Sequence, residues 1–160
     1  MLKQSVVRPA TVADAEAISR ILITVQQLHA GAHPDIFKQP TEPQLFLDEV
    51  QRVMNEPNHL YLAAEEDGLI VGYLMAEILR RPENLYNYAR TMLYIHQLGV
   101  HPDHQHNGHG ACLIDAAKAL AKQEGLAKVS LDTWEFNTKA QGFFKQQGFS
   151  RFNQRLWMEV

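Results

Sequence analysis

Apolar side chains recur at Ile18, Ile21, Leu22 and Val25, a spacing that lines one face of an α-helix. Thr11 precedes this run and Asp14 follows three residues on, a capping-box pair, so a helix is expected to start at Thr11 and end before Gly31. A short strand over 5–8 comes before it. A second helical run through Phe46, Val50 and Val53 opens at Thr-Glu-Pro-Gln, residues 41–44, and stops near Asn55, with a loop around Pro34 in between. The pattern then tightens into two apolar runs, 60–65 and 69–79, separated by Asp67-Gly68. That pair favours positive φ and predicts a β-hairpin. A polar loop over 80–90 leads to a strand over 91–100. Helical spacing returns from Gly108 to about Glu124, with Gly125 as its stop. A strand over 127–133, a helix over 138–147 and a final strand or hairpin from Phe149 onwards complete the order. Strands separated by helices behind an antiparallel hairpin imply an α/β chain with a mixed sheet flanked by helices.

One junction in this order carries chemistry. Residues 98–110, Leu-Gly-Val-His-Pro-Asp-His-Gln-His-Asn-Gly-His-Gly, are a strand end that breaks into a polar turn and re-emerges as a helix. Gly108 and Gly110 let the backbone approach a ligand with no Cβ in the way, and the new helix leaves its first N–H groups without intrahelical partners. Its macrodipole adds roughly 0.3–1 kcal/mol for an anion placed there. A pyrophosphate suits such a turn.

Two phosphate motifs fail here. There is no Lys followed by Ser or Thr, as a Walker loop requires, and no three-glycine dinucleotide fingerprint with an acidic residue ending a second parallel strand. Composition narrows the field further. The chain has 160 residues, 46% hydrophobic and 21% charged, which suits one domain over 1–160 and leaves no room for a second. A net charge of −3 supplies no basic face for nucleic acid. No apolar run reaches the roughly 18 residues that would span a bilayer, and the opening segment is charged where a signal peptide needs an apolar core. No membrane association and a cytoplasmic location are therefore expected. The lone Cys112, on the apolar stripe after the turn, reads as a small core residue rather than a catalytic thiol.

The turn stands as Gln105, His106, Asn107, Gly108, His109 and Gly110, after a strand ending Leu98, Gly99, Val100. This resembles the acetyl-coenzyme A signature of the GNAT superfamily of N-acetyltransferases, Gln/Arg-x-x-Gly-x-Gly/Ala after Leu-x-Val. Further on, Asn137, Ala140 and the stretch 143–149, Phe-Phe-Lys-Gln-Gln-Gly-Phe, resemble the family's second signature at the expected distance. The likeness covers nearly the whole chain. It implies a GNAT fold: a mixed central sheet of about six or seven strands, two central strands splayed apart, and about four flanking helices. It also implies that acetyl-coenzyme A enters the gap as co-substrate, with no metal. Its arm would bond the backbone around Leu98, Gly99 and Val100 as an added strand would, and its pyrophosphate would lie on the amides of His106 to Ala111. Gln105 belongs to the same turn, Asn137 would bond the arm, and Phe144 would pack against its end. Neutral side chains inside the turn forgo charge-assisted bonds of about 1.5–3 kcal/mol, so affinity is expected to be on the weak side.

The implied reaction moves an acetyl group from sulfur to the nitrogen of an amine, in a small molecule or a peptide, by direct attack in a ternary complex. A primary amine with a pKa of about 10.4 is almost wholly protonated near pH 7, and removing its proton costs roughly 4–5 kcal/mol. A positioned base supplies that exit. Counting back from Leu98 in twos puts His96 and Tyr94 on the same strand face, unless a bulge intervenes. The resemblance aims that face at the reacting centre and makes His96 the base candidate. Glu77, on the hairpin strand beside it, is a second base candidate or an anchor for an ammonium group. The family often carries Tyr as general acid where this chain has Phe144, which cannot donate a proton. Either the thiolate leaves unassisted, tolerable at a thiol pKa of about 8.5, or a hydroxyl such as Tyr94 takes over.

The remaining histidines are weaker candidates. His101, His104, His106 and His109 crowd one turn but lack a defined metal-ligand spacing, so they read as solvated residues or, for His106 and His109, phosphate neighbours. His29 and His33 end the first helix, where the resemblance places an acceptor wall, and the loop with Leu85, Tyr86 and Tyr88 is placed to close over an acceptor. Three function classes follow: an N-acetyltransferase, an acyl-coenzyme A sensor that has lost catalysis, and a scaffold without cofactor. Dimers are frequent in the resembled family, so a homodimer is an expected form.

Overall fold

The computed structural model describes residues 5–160. Five strands form one sheet in sequence order: β1 (Val6–Pro9), β2 (His59–Glu66), β3 (Leu69–Arg81), β4 (Arg90–Val100) and β5 (Val129–Leu131). The first four pair antiparallel, and β5 joins β4 in parallel. The helices are α1 (Ala15–Ala32), α2 (Pro43–Met54), α3 (His109–Gln123) and α4 (Thr138–Gln146). No helix among the described residues is long and apolar enough to cross a membrane.

The hairpin forms for the reason its sequence suggests. Asp67 and Gly68 both take positive φ, 52° and 81°, the pair of conformations that matches a tight turn to strand twist. The first helix differs slightly from expectation. Thr11 and Asp14 do form a capping box, but around a single 3₁₀ turn, Val12–Asp14, after which α1 begins at Ala15 and runs through Gly31 to Ala32. Nothing lies within 4 Å of a Cβ built at Gly31, so the helix passes it freely. Asp14 also accepts two bonds from the Arg8 guanidinium, at 2.8 and 2.9 Å, which clamps β1 to the start of the helical layer.

Each face of the sheet carries its own core. Ile18, Ile21 and Leu22 of α1 and Val50 and Val53 of α2 pack on Tyr61, Tyr73 and Met75. On the other face Leu113, Ile114, Ala117 and Ala121 of α3 pack on Leu62, Leu74, Leu93 and Ile95. A buried side chain of this size contributes about 1.5–3 kcal/mol, so the alternation of β3 and β4 is strongly held.

Two expectations are corrected. Among the described residues the sheet has five strands rather than the expected six or seven, and residues 149–160 form no strand. Their apolar side chains Phe152, Leu156, Trp157 and Met158 are exposed, and β5 offers only three residues of edge to pair with. The simple alternation along β4 is also broken. Met75 faces Gln97 while Ala76 faces Ile95, which leaves His96 as the extra residue of a bulge. Leu98 consequently shares the α3 face with Leu93 and Ile95, while Tyr94 and His96 lie on the opposite face beside Glu77.

Candidate active site

The bulge coincides with a fork in the sheet. β5 pairs with β4 only through Leu93, Tyr94 and Ile95, and β4 then continues five residues further, to Val100. His101 donates its N–H to Val71 on the β3 side, so by alternation the groups of Leu98 and Val100 point to the open side. One of them is taken: the Gln105 side chain donates to the Val100 carbonyl at 3.2 Å. The Leu98 groups remain directed into the fork. Gly99, a predicted cofactor contact, instead turns its missing side chain to the α1 core. A Cβ there would stand 2.9 Å from Tyr73 and 3.0 Å from Ile21. Glycine is needed at that position for close packing.

The two base candidates form a pair. His96 Nε2 lies 2.8 Å from Glu77 Oε2, and the same carboxylate oxygen lies 3.8 Å from His59 Nε2. The His59 and His96 rings stack at 5.9 Å. A carboxylate held on Nε2 fixes the neutral tautomer with its proton there, which leaves Nδ1 with a lone pair. His59 escaped the sequence reading because nothing local marks it; register places it opposite Glu77.

Tyr94 stands beside His96, with ring centroids 4.7 Å apart. Its hydroxyl donates to Asp132 at 2.6 Å, just past the end of β5. Burial, followed by the bond to Asp132, pushes the phenol up to about 12. Its proton is committed to Asp132, a partner that the expectation of Tyr94 as replacement acid did not include.

Below the fork, the turn after β4 bends through positive φ at His106 (66°) and Gly108 (87°), and Gly108 caps α3 with no side-chain bond. The Cys112 N–H closes the first helical bond, onto the Gly108 carbonyl. The amides of His109, Gly110 and Ala111 precede it and open outward as orphan donors. Gly108 has open space around it. Gly110 does not, since a Cβ there would meet the Phe143 ring at 3.1 Å. The second glycine serves the contact between α3 and α4 more than the approach of a ligand.

Two side chains of the turn, and Asn137 before α4, make contacts that the signatures do not announce. Gln105 bridges, giving a bond to Val100 and accepting one at 2.9 Å from Lys139 of α4. Lys139 thus adds a cation beside the turn that the motif does not contain. His109 is 1% exposed rather than solvated or facing a phosphate, and only its backbone belongs to the turn. Asn137 spends its side-chain carbonyl as the cap of α4, accepting from the Ala140 N–H at 3.1 Å. Phe144 packs edge-on against Phe143 and Phe149, at 5.3 and 5.6 Å.

His29 and His33 join an aromatic cluster that was only half anticipated. Phe37, Trp134 and Phe136 complete it, with ring separations of 4.9–5.6 Å. Trp134 and Phe136 follow Asp132, so the wall stands next to the fork. The loop carrying Leu85, Tyr86 and Tyr88 leaves those side chains almost wholly exposed. Asn84 organises it by accepting the N–H groups of Tyr86 and Asn87.

Known proteins share this fold. An acetyltransferase of Yersinia pestis (strain Pestoides F) is 27% identical over 114 residues, 71% of this chain and 72% of the relative. A crystallised mutant of the BH1408 protein from Bacillus halodurans superposes with a TM-score of 0.88 at 23% identity, covering 97% of this chain and 99% of that one. The aminoglycoside acetyltransferase AAC(6')-Iy, in complex with a bisubstrate analogue of coenzyme A, superposes with a TM-score of 0.76 at 15% identity over 98% of each chain. Residues 22–149 match the Acetyltransferase (GNAT) family, and the chain belongs to that family of acyltransferases.

Proposed function

We propose that this protein is an N-acetyltransferase that moves an acetyl group from acetyl-coenzyme A to a primary amine, by direct attack within a ternary complex. The observation that carries the reading is the coincidence of the fork with a pre-paired base: β4 and β5 separate at the residue, His96, that bulges toward Glu77. The donor set suits the cofactor. Orphan amides at 109–111, the left-handed Gly108 with room around it, and Lys139 nearby answer a pyrophosphate. The open Leu98 groups answer the amides of an extended arm.

Chemistry then falls to the side chains on the other face. His96, held by Glu77 on Nε2, takes a proton from the acceptor's ammonium at Nδ1. The freed nitrogen attacks the thioester carbonyl carbon, the C–N bond forms as the C–S bond breaks, the sulfur departs as thiolate, and the surplus proton left on the new amide nitrogen passes through water to that thiolate. Phe144 offers no proton, and Tyr94 spends its own on Asp132. The thiolate is stable enough to be protonated by water. Glu77 stabilises the imidazolium that His96 becomes, the role a carboxylate plays behind any histidine base. A sensor without catalysis would have no use for this pair.

The test is release of free thiol from acetyl-coenzyme A across a panel of amines, for the native protein and for His96→Ala. The expected result is turnover with at least one amine, falling about a hundredfold in the variant at unchanged cofactor affinity. Turnover equal in both would overturn the assignment of the base.

A further inference from the structure

A second group of the same composition lies on the α3 side of the sheet. Glu66 ends β2, His104 ends the short 3₁₀ turn Pro102–His104, and His109 is the first residue of α3. The fold brings the three together from positions up to 43 residues apart, which is why no motif announces them. His104 Nδ1 lies 2.7 Å and His109 Nε2 3.6 Å from Glu66 Oε2, and the ligand atoms of all three residues fall within 4.8 Å of one another. We propose that Glu66, His104 and His109 form a binding site for a divalent transition-metal ion of the zinc class.

Three observations support the site. The first is dimension: a four-coordinate ion with bonds of about 2.0–2.2 Å sets its ligand atoms about 3.4 Å apart, so sub-ångström movements convert the present spacing into a coordination shell. The second is His109 itself. It is 1% exposed, and neither of its ring nitrogens has a hydrogen-bond partner. A buried polar group in that state is costly, and ligation satisfies Nε2 at once. The third is access. The His104 side chain is 32% exposed while Glu66 is 6% exposed, so an ion enters past His104 and completes its shell with water.

Two imidazoles and a carboxylate select zinc, cobalt or nickel over magnesium or calcium, which take oxygen ligands. The neighbouring His101 is not counted, because its Nδ1 accepts the Asp103 N–H. An ion here would tie the loop at 101–104 and the first residue of α3 to β2, and so hold both ends of the anion turn. The inference does not rest on the acetyl-transfer reading, since the metal alone is its probe.

The experiment uses the full chain without a polyhistidine tag, freed of metal by chelator and dialysis. Titration with Co²⁺ is followed by visible absorption, and titration with Zn²⁺ by calorimetry. One equivalent is expected, with the absorption of a four-coordinate cobalt site that Zn²⁺ then displaces. His104→Ala, on the exposed side of the turn, should abolish it; His109→Asn should do the same if circular dichroism shows it folded. His59→Ala should leave it intact. Absence of uptake in the native protein would mean that the three groups are an ion pair only, and would overturn the proposal. So would uptake that survives His104→Ala and disappears in His59→Ala, which would move the ion to the Glu77 group.

Discussion

Two His–Glu–His groups face opposite sides of one sheet, and their settings differ more than their composition. Around Glu77, the carboxylate is a quarter exposed and binds His96 at 2.8 Å, with His59 standing off at 3.8 Å. Around Glu66, the carboxylate is nearly buried and His109 is sealed in without a partner on either nitrogen. The first arrangement fixes a tautomer and leaves a lone pair free beside a fork in the sheet, which suits proton transfer. The second sets the unsatisfied nitrogens of a buried imidazole against a nearly buried carboxylate, which suits an ion. The same three side chains acquire different chemistry from exposure and from hydrogen bonds already made.

Removing the imidazole from the open group gives the largest expected effect. His96→Ala should lower kcat about a hundredfold, equivalent to about 2.7 kcal/mol of barrier, with little change in the KM for acetyl-coenzyme A. Gly99→Ala tests the packing that holds β4 in place. The new methyl would press on Tyr73, Ile21 and Val25, and a loss of about 1–3 kcal/mol is expected in a denaturant titration. If Gly99 instead served cofactor binding, the KM would rise and stability would hold.

Glu77→Gln keeps the shape and removes the charge. A drop of about tenfold in kcat is expected, because the imidazolium formed at His96 loses its counter-charge. An unchanged kcat would detach Glu77 from the base. A smaller effect concerns Asp14, whose carboxyl the Arg8 guanidinium holds down at about 2. A depressed carboxyl stabilises the fold above its unfolded pKa, near 4, and that contribution vanishes as pH falls toward 2. On the order of 1 kcal/mol is expected, since Arg8 is partly exposed, and thermal melts of Asp14→Asn should show a weaker acid dependence. The smallest effect is that of Tyr94→Phe, less than about threefold in kcat. The Tyr94 hydroxyl donates to Asp132 rather than to a reacting atom, so only the orientation of Asp132 is lost.

How far the sequence discloses all this depends on the range of the interaction. Asp67-Gly68, the cap at Thr11 and the turn ending at Gly108 are local, and their conformations follow from φ preferences and orphan amides within a few residues. The main-chain half of the site was therefore legible. The side-chain half was legible only in its members. His96 and Glu77 were named separately, yet what joins them is a bulge, and a single extra residue reverses the face of everything after it. Counting in twos put Leu98 with His96 for that reason. His59, Asp132, Lys139 and Trp134 come from other elements and have no local mark. His109 illustrates the converse: its motif position suggests a phosphate neighbour, but the first turn of α3 rotates its side chain inward toward Glu66. The chain from Phe149 onwards carries the apolar residues of an expected strand, but strands need an edge to join, and β5 is short.

Cofactor binding, as proposed, depends on main-chain donors around Gly108 that hold its diphosphate. Calorimetric titration of the native protein and of Gly108→Val, with coenzyme A and with pantetheine, which lacks the diphosphate, tests it most directly. Coenzyme A should bind native protein far more tightly than pantetheine does, and Gly108→Val, strained at a φ of 87°, should weaken coenzyme A binding while leaving pantetheine unaffected. Equal affinity for the two ligands, or indifference of coenzyme A to Gly108→Val, would contradict it.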